Sequence, residues 1–358
     1  MSLALAILLA GCGGDAPRAD LLVTAPRLFD GERLIRDGAI AVRGGRIVAA
    51  GARSDVEVDA AWTIELAGAT LLPGFVDLHV HGLGEGQLNS PVTTIRDLGA
   101  SDYSLPFPPA RPGEPRVLLA GPLITAPDGY PIETHGPDRA RVVRGPADAR
   151  AYVRSLADRG ADVVKVSLQL GYPVLPIRVL RAIVAEAHAR ELRVTAHVGE
   201  RLGARLALRG GVDELAHMPC GSDPELMQAL AAAGMEIVGT LHVVRVVAGC
   251  ADALENAREF VSAGGLLLYG SDYGNPGIPL GLDVEELELI ADAGLSPRAV
   301  IANATGRSGA LTGIAGVGRL VEGGPADVVA VSGDPTVELA RLRDPLLVVV
   351  RGRIVIGE

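Results

Sequence analysis

Eight short β-branched runs, most of them separated by amphipathic helical stretches, constrain this chain more than any other feature. The runs are 74–80, 92–98, 117–120, 162–168, 193–198, 214–218, 236–241 and 266–272. Helical periodicity marks 147–158, 177–190, 201–209, 224–233 and 251–263, several of them closed by glycine. Strands alternating with helices in this way form parallel βαβ units, and eight such units close into a (β/α)8 TIM barrel of the α/β class. The first two connections offer only short or proline-rich segments. A long loop rich in Pro, Gly and charge, 121–145, follows the third run as a candidate lid.

Both chain ends have a different texture. Short strand-like runs such as Leu21–Thr24, Ala39–Val42 and Arg46–Ala49 are broken by turns, with Gly44-Gly45 marking a hairpin. The same pattern returns at Asp327–Val331, Leu346–Val350 and Ile354–Ile356. Neither end is long enough to bury a core alone, so the two are expected to pair into one small β-sandwich. The expected organisation is 1–19 leader and tether, 20–70 with 308–358 sandwich, and 71–307 barrel. Trp62 reads as core of the smaller domain.

Net charge of −10 argues against a nucleic-acid partner, whose phosphates require basic patches. Aromatic residues at 3% leave no stacking platform for bases. Three cysteines at irregular spacing exclude a disulfide framework and a cysteine-built zinc site. The first of them has another use: Leu9-Ala10-Gly11-Cys12 matches the lipobox of bacterial lipoproteins after an apolar stretch. The expectation is export and lipid anchoring to the cell envelope through Cys12. A cytoplasmic location is the alternative, because Met1-Ser2-Leu3 lacks a basic n-region. On export, Cys220 and Cys250 would meet an oxidising compartment.

Barrel enzymes carry their chemistry at the C-terminal ends of the strands. The first run ends in His79-Val80-His81, where strand alternation puts both imidazoles on one face. The fourth carries Lys165, the fifth His197, the sixth His217, and the eighth ends at Asp272. Each histidine alone is more often a satisfied core residue, but their order and spacing together point to metal ligation. Of 33 basic side chains, Lys165 is the one lysine, and it sits in a buried β-branched run where a solvated cation is costly. Lysine can lose its proton, which arginine cannot. Captured as a carbamate (N6-carboxylysine), it becomes an anionic donor with an oxygen for each of two ions. A Schiff-base lysine is the rival chemistry, but it would not require four histidines and an aspartate around it.

These residues resemble the amidohydrolase superfamily, and within it the imidazolonepropionase-like, prolidase-related branch. The strings that carry the likeness are Leu72-Pro73-Gly74-Phe75-Val76-Asp77-Leu78-His79-Val80-His81, Val92-Thr93-Thr94-Ile95-Arg96-Asp97-Leu98-Gly99 and Val321–Val331 with Gly333-Asp334-Pro335. The resemblance implies two divalent ions, zinc being usual. His79, His81 and Asp272 would hold the more buried ion, His197 and His217 the more exposed one, and carboxylated Lys165 would bridge them. A bridging water of lowered pKa would attack the substrate carbonyl, with Asp272 as general base and then acid. The chain departs from the pattern in its short first loop and in Ser167-Leu168-Gln169-Leu170-Gly171-Tyr172 after the fourth strand.

The expected function is therefore a binuclear amidohydrolase cleaving a C–N bond in a small-molecule amide, a dipeptide or N-acyl amino acid in prolidase fashion. A lactone or phosphotriester hydrolase is the alternative enzyme. A non-catalytic lipid-anchored binding protein is the alternative from another class. Candidate substrate contacts are His135 on the lid, Tyr172, and His242 and Arg245 after the seventh run, with Arg245 suited to a carboxylate. Assembly into a homo-oligomer is left open by the sequence.

Overall fold

The computed structural model describes residues 18–82, 89–99 and 109–357. The lipobox at Cys12, most of the first loop and most of the second connection lie outside the described residues.

Eight parallel strands form the barrel: Phe75–Val80, Val92–Asp97, Arg116–Leu119, Val163–Ser167, Arg193–His197, Glu214–Leu215, Glu236–Val238 and Leu267–Leu268. The first three pair in order, as do the last five. Strand 3 meets strand 4 through Asp162, whose N–H donates to the Leu119 carbonyl (2.9 Å) and whose carboxylate accepts from the Leu119 N–H (2.8 Å). Strand 8 returns to strand 1 through Leu78 N to Tyr269 O (3.3 Å) and Asp272 N to His79 O (2.7 Å). That closure needs Gly270: a Cβ there would stand 2.3 Å from Val238 Cγ1 and 2.9 Å from His79 Cβ.

The strands are buried over most of their length because helices cover them. Ile177–His188 turns Val179, Leu180, Ile183, Val184 and Ala187 inward, each apolar side chain of Val or Leu size contributing about 1.5–3 kcal/mol. Inside the barrel Arg96 and Glu214 form a bidentate ion pair (3.2 Å for one arm), and Arg96 Nε also donates to the Leu78 carbonyl (2.8 Å). Every polar atom of this buried pair thus has a partner, the condition under which burying charge is tolerable.

Segment 121–145 corrects the expectation of an open loop. Leu123–Thr125 pairs with Val166 of strand 4 and with Ala140–Val142, and a helical turn, Ile132–His135, lies between. These pairings tie both ends of the segment to the barrel wall, so it is a built rim. The seventh run also stops early. Strand 7 ends at Val238, and Leu241–Val246 is a short helix.

The two chain ends share one eight-stranded sheet. Arg18–Phe29 pairs antiparallel with Leu34–Arg43 on one side; on the other it pairs with Asp59–Glu65 over its first half and with Ala69–Pro73 at Arg27–Leu28. Val328–Ser332 from the C-terminal end pairs with Ala69–Pro73, and Pro345–Val350 and Arg353–Ile356 follow. Strand alternation sends Leu21 and Val23 into one apolar cluster and Leu22 into another, so both faces are covered. Trp62 is corrected from core to surface. It is 61% exposed, because its strand buries only Ala60. Ala69–Pro73 leads through Gly74 straight into barrel strand 1, and the Gly74 N–H donates to the Asp327 carbonyl (3.0 Å). The sheet thereby anchors the strand that carries His79 and His81.

Candidate metal centre

All six side chains expected at the strand ends gather at one cavity of about 400 Å³; five line its wall and His79 lies directly behind them. His79 is fully buried. Its Nδ1–H donates to the Ala216 carbonyl (2.9 Å), which turns the Nε2 lone pair toward His81 Nε2 (3.2 Å) and Asp272 Oδ1 (3.4 Å). Asp272 Oδ1 is also 3.2 Å from His81 Nε2, yet it is buried without a hydrogen-bond partner. Burial, then the charge of Lys165, holds His79 well below the usual imidazole range, so it stays neutral. Lone pairs facing one another around an orphaned carboxylate oxygen are unfavourable alone, and a cation resolves them. His79, His81 and Asp272 have donor atoms close enough to grip one ion.

The second group lies alongside. His197 Nδ1 is 2.9 Å from His217 Nε2, and the Thr240 hydroxyl stands 2.9 Å from His217 Nδ1, fixing that ring. Gln169 Oε1 is 3.1 Å from His197 Nε2. Burial, with the charge of Lys165 and neighbouring imidazoles, lowers both histidines well below their ordinary values. Lys165 Nζ is 3.5 Å from His79 Nε2 and nearly inaccessible. Burial brings its amine down to about 7, against the pull of Asp272. A neutral amine is the form that can accept carbon dioxide. The chemistry of the donor set, neutral imidazoles, a carboxylate and a nucleophilic amine, fits borderline divalent ions.

Backbone and supporting side chains hold this geometry. Asp272 adopts a left-handed φ of 57°, a conformation costly for a non-glycine residue and fixed here by its N–H bond to His79 O. Asp77 accepts from the His79 N–H (3.0 Å) and the Ser271 hydroxyl (2.6 Å); burial pushes its carboxyl up to about 7.

Among the candidate substrate contacts, His135 lines the cavity, its pKa lowered first by partial burial. Tyr172 stands behind Tyr130, ring centroids 5.8 Å apart, and does not line the cavity. His242 and Arg245 are corrected. His242 is buried against Asp283 (Nδ1 to Oδ2, 2.7 Å), and Arg245 is ion-paired to Glu285. The helix is the reason. Its cavity face is Val243, Val244 and Val247, and it turns the two polar residues away. Sequence reasoning missed Tyr130, stacked on His197 at 4.5 Å, and also Gln169 and Thr240. Gln169 had a signal, as the departure just past strand 4. Cys220, at the cavity wall, is disulfide-bonded to Cys250.

The amidohydrolase family profile matches residues 85–355. Among curated proteins, the chain is 25% identical over 232 residues to ochratoxinase of Aspergillus niger, covering 57% of this chain and 48% of that protein. It is 53% identical over 164 residues to imidazolonepropionase of Aromatoleum aromaticum, 45% of this chain and 35% of that one. The chain thus spans about half or less of these relatives. Among solved structures, a Xaa-Pro dipeptidase with bound methionine in its active site superposes with a TM-score of 0.78 at 21% identity, over 94% of this chain and 100% of that one. This likeness shows a shared fold. With well over half its length matched, the chain belongs to the amidohydrolase family.

Proposed function

We propose that this protein is a binuclear metal-dependent hydrolase that cleaves the C–N bond of an amide, its substrate a dipeptide or an N-acyl amino acid. The observation that carries the reading is the orphaned, buried Asp272 Oδ1 facing two imidazoles, with Lys165 and two further imidazoles on the same cavity. His79, His81 and Asp272 would hold one ion, His197 and His217 the other, and Lys165 as N6-carboxylysine would serve both. Zinc is the expected metal.

Divalent ions supply Lewis acidity and lower the pKa of water. The chain's own residues do the rest. Asp272 takes the proton of the attacking water and passes it to the leaving nitrogen, base turned acid. Tyr130, pushed up to about 12 by burial, keeps its proton and offers an O–H donor at the cavity wall. Gln169 and Thr240 orient His197 and His217, as outer hydrogen bonds orient ligands generally.

Zinc-loaded protein screened against dipeptides, N-acyl amino acids, lactones and phosphotriesters tests the reaction. Release of amine and acid from the amides supports it; turnover confined to lactones or phosphotriesters, or none at all, overturns it. We further propose anchoring to the cell envelope through Cys12, which the Cys220–Cys250 pair supports because disulfides persist in oxidising compartments. Labelled palmitate should mark the wild type and not Cys12→Ala; equal labelling contradicts this.

A further inference from the structure

The cavity lining is of two unlike kinds. Val243, Val244 and Val247 give it an apolar face. Arg139 also lines it, at the end of the 3-10 turn Pro137–Arg139 that follows His135. Arg139 is half-buried, and its guanidinium has no hydrogen bond or ion pair to any described residue. Its neighbour Arg141 is spent on Asp148 (3.2 Å) and the Tyr152 ring (5.4 Å), and Arg245 on Glu285. Apart from buried Lys165, Arg139 is the one Lys or Arg among the described residues lining the cavity. His135, which precedes that turn, lines the same cavity as Arg139, His81 and Asp272. A partly desolvated fork of donors without an anion is incomplete, and a carboxylate completes it in bidentate fashion.

We propose that Arg139 determines specificity by binding the free carboxylate of the substrate. The preferred molecules are then amides with a free C-terminal carboxylate, and the valine wall receives their apolar part. This rests on the hydrolase reading above, which places the scissile amide at the histidines.

The test uses zinc-loaded protein and a panel of N-acyl leucines and dipeptides, each compared with its own C-terminal carboxamide. Binding is read by calorimetry and hydrolysis by amine release. Wild type should favour the free acids by about tenfold or more, the scale of one charge-assisted pair. Arg139→Met should shrink the acid-to-carboxamide ratio to near unity, and Arg139→Lys should keep part of it. An unchanged ratio in Arg139→Met, or no preference in wild type, overturns the assignment. Hydrolysis without acid preference sinks the anion site alone. Acid preference in binding without any hydrolysis sinks the reaction and leaves the site standing.

Discussion

Lys165 is a residue whose position would be a defect unless its chemistry changes. It lies inside a β-branched strand, pairs in register with Thr195, and among the described residues has no carboxylate bonded to its amine. Its amine is lowered from 10.5 to about 7, mainly by burial, so in the metal-free fold the cationic form is penalised. Between these values the unfolded chain binds the proton that the native state has released, so this group makes stability rise with pH across that window. Urea unfolding of chelated protein from pH 7 to 10 should show that rise, and Lys165→Met should flatten it; equal slopes would contradict the assignment. Lys165→Ala should regain some rate with an added small carboxylic acid, and indifference to such acids weighs against the carbamate. Thr240→Val, which frees the His217 ring, should weaken zinc binding about 10–100-fold with the fold intact, checked by competition with a chelator. The histidines were legible because period-two alternation and barrel topology both place them. Thr240 and Tyr130 were not, since only the fold brings a hydroxyl to His217 or a ring onto His197.

Elements fail to be legible where a tertiary contact overrides local preference. The seventh run reads as strand to Leu241, yet the strand ends at Val238 and Leu241–Val246 is helical. Thr240 takes a left-handed turn there, and buried Glu286, pushed up to about 8, accepts from the His242 N–H (2.7 Å). A carboxyl group 44 residues away thus holds the first turn of the helix, and no local window contains it. Trp62 shows the converse: it reads as core, yet its strand lies off the main path of the sheet and leaves the large ring exposed beside buried Ala60. Within the barrel, Arg96 ties strand 2 to strand 6. Arg96→Met should destabilise the protein by about 3–5 kcal/mol by stranding Glu214, whereas Arg96→Met with Glu214→Leu should recover most of it. Chemical denaturation of both variants decides; a harmless single substitution would mean that the pair is not buried as described.

At the scale of the whole molecule, strands from both chain ends form one sheet that feeds directly into barrel strand 1, and Arg116 pairs with Asp327 across the junction. The alternation of runs revealed the barrel, and the repeated texture of the ends revealed their pairing. The Cys220–Cys250 link, with a sequence separation of 30, joins two segments of the cavity rim. Removing it by Cys250→Ser should cost about 2–4 kcal/mol, with a matching loss in wild type under reductant; no change in either would contradict the pairing. On the proposed reading, the assembled molecule would hold two cations with five side chains and one modified lysine. The direct measurement is zinc per chain after loading with zinc and bicarbonate and desalting, in wild type and in Lys165→Arg. The account predicts about two ions per chain in wild type and a clear deficit in the variant. Wild type that retains no zinc, or a variant that loads as fully as wild type, would contradict it.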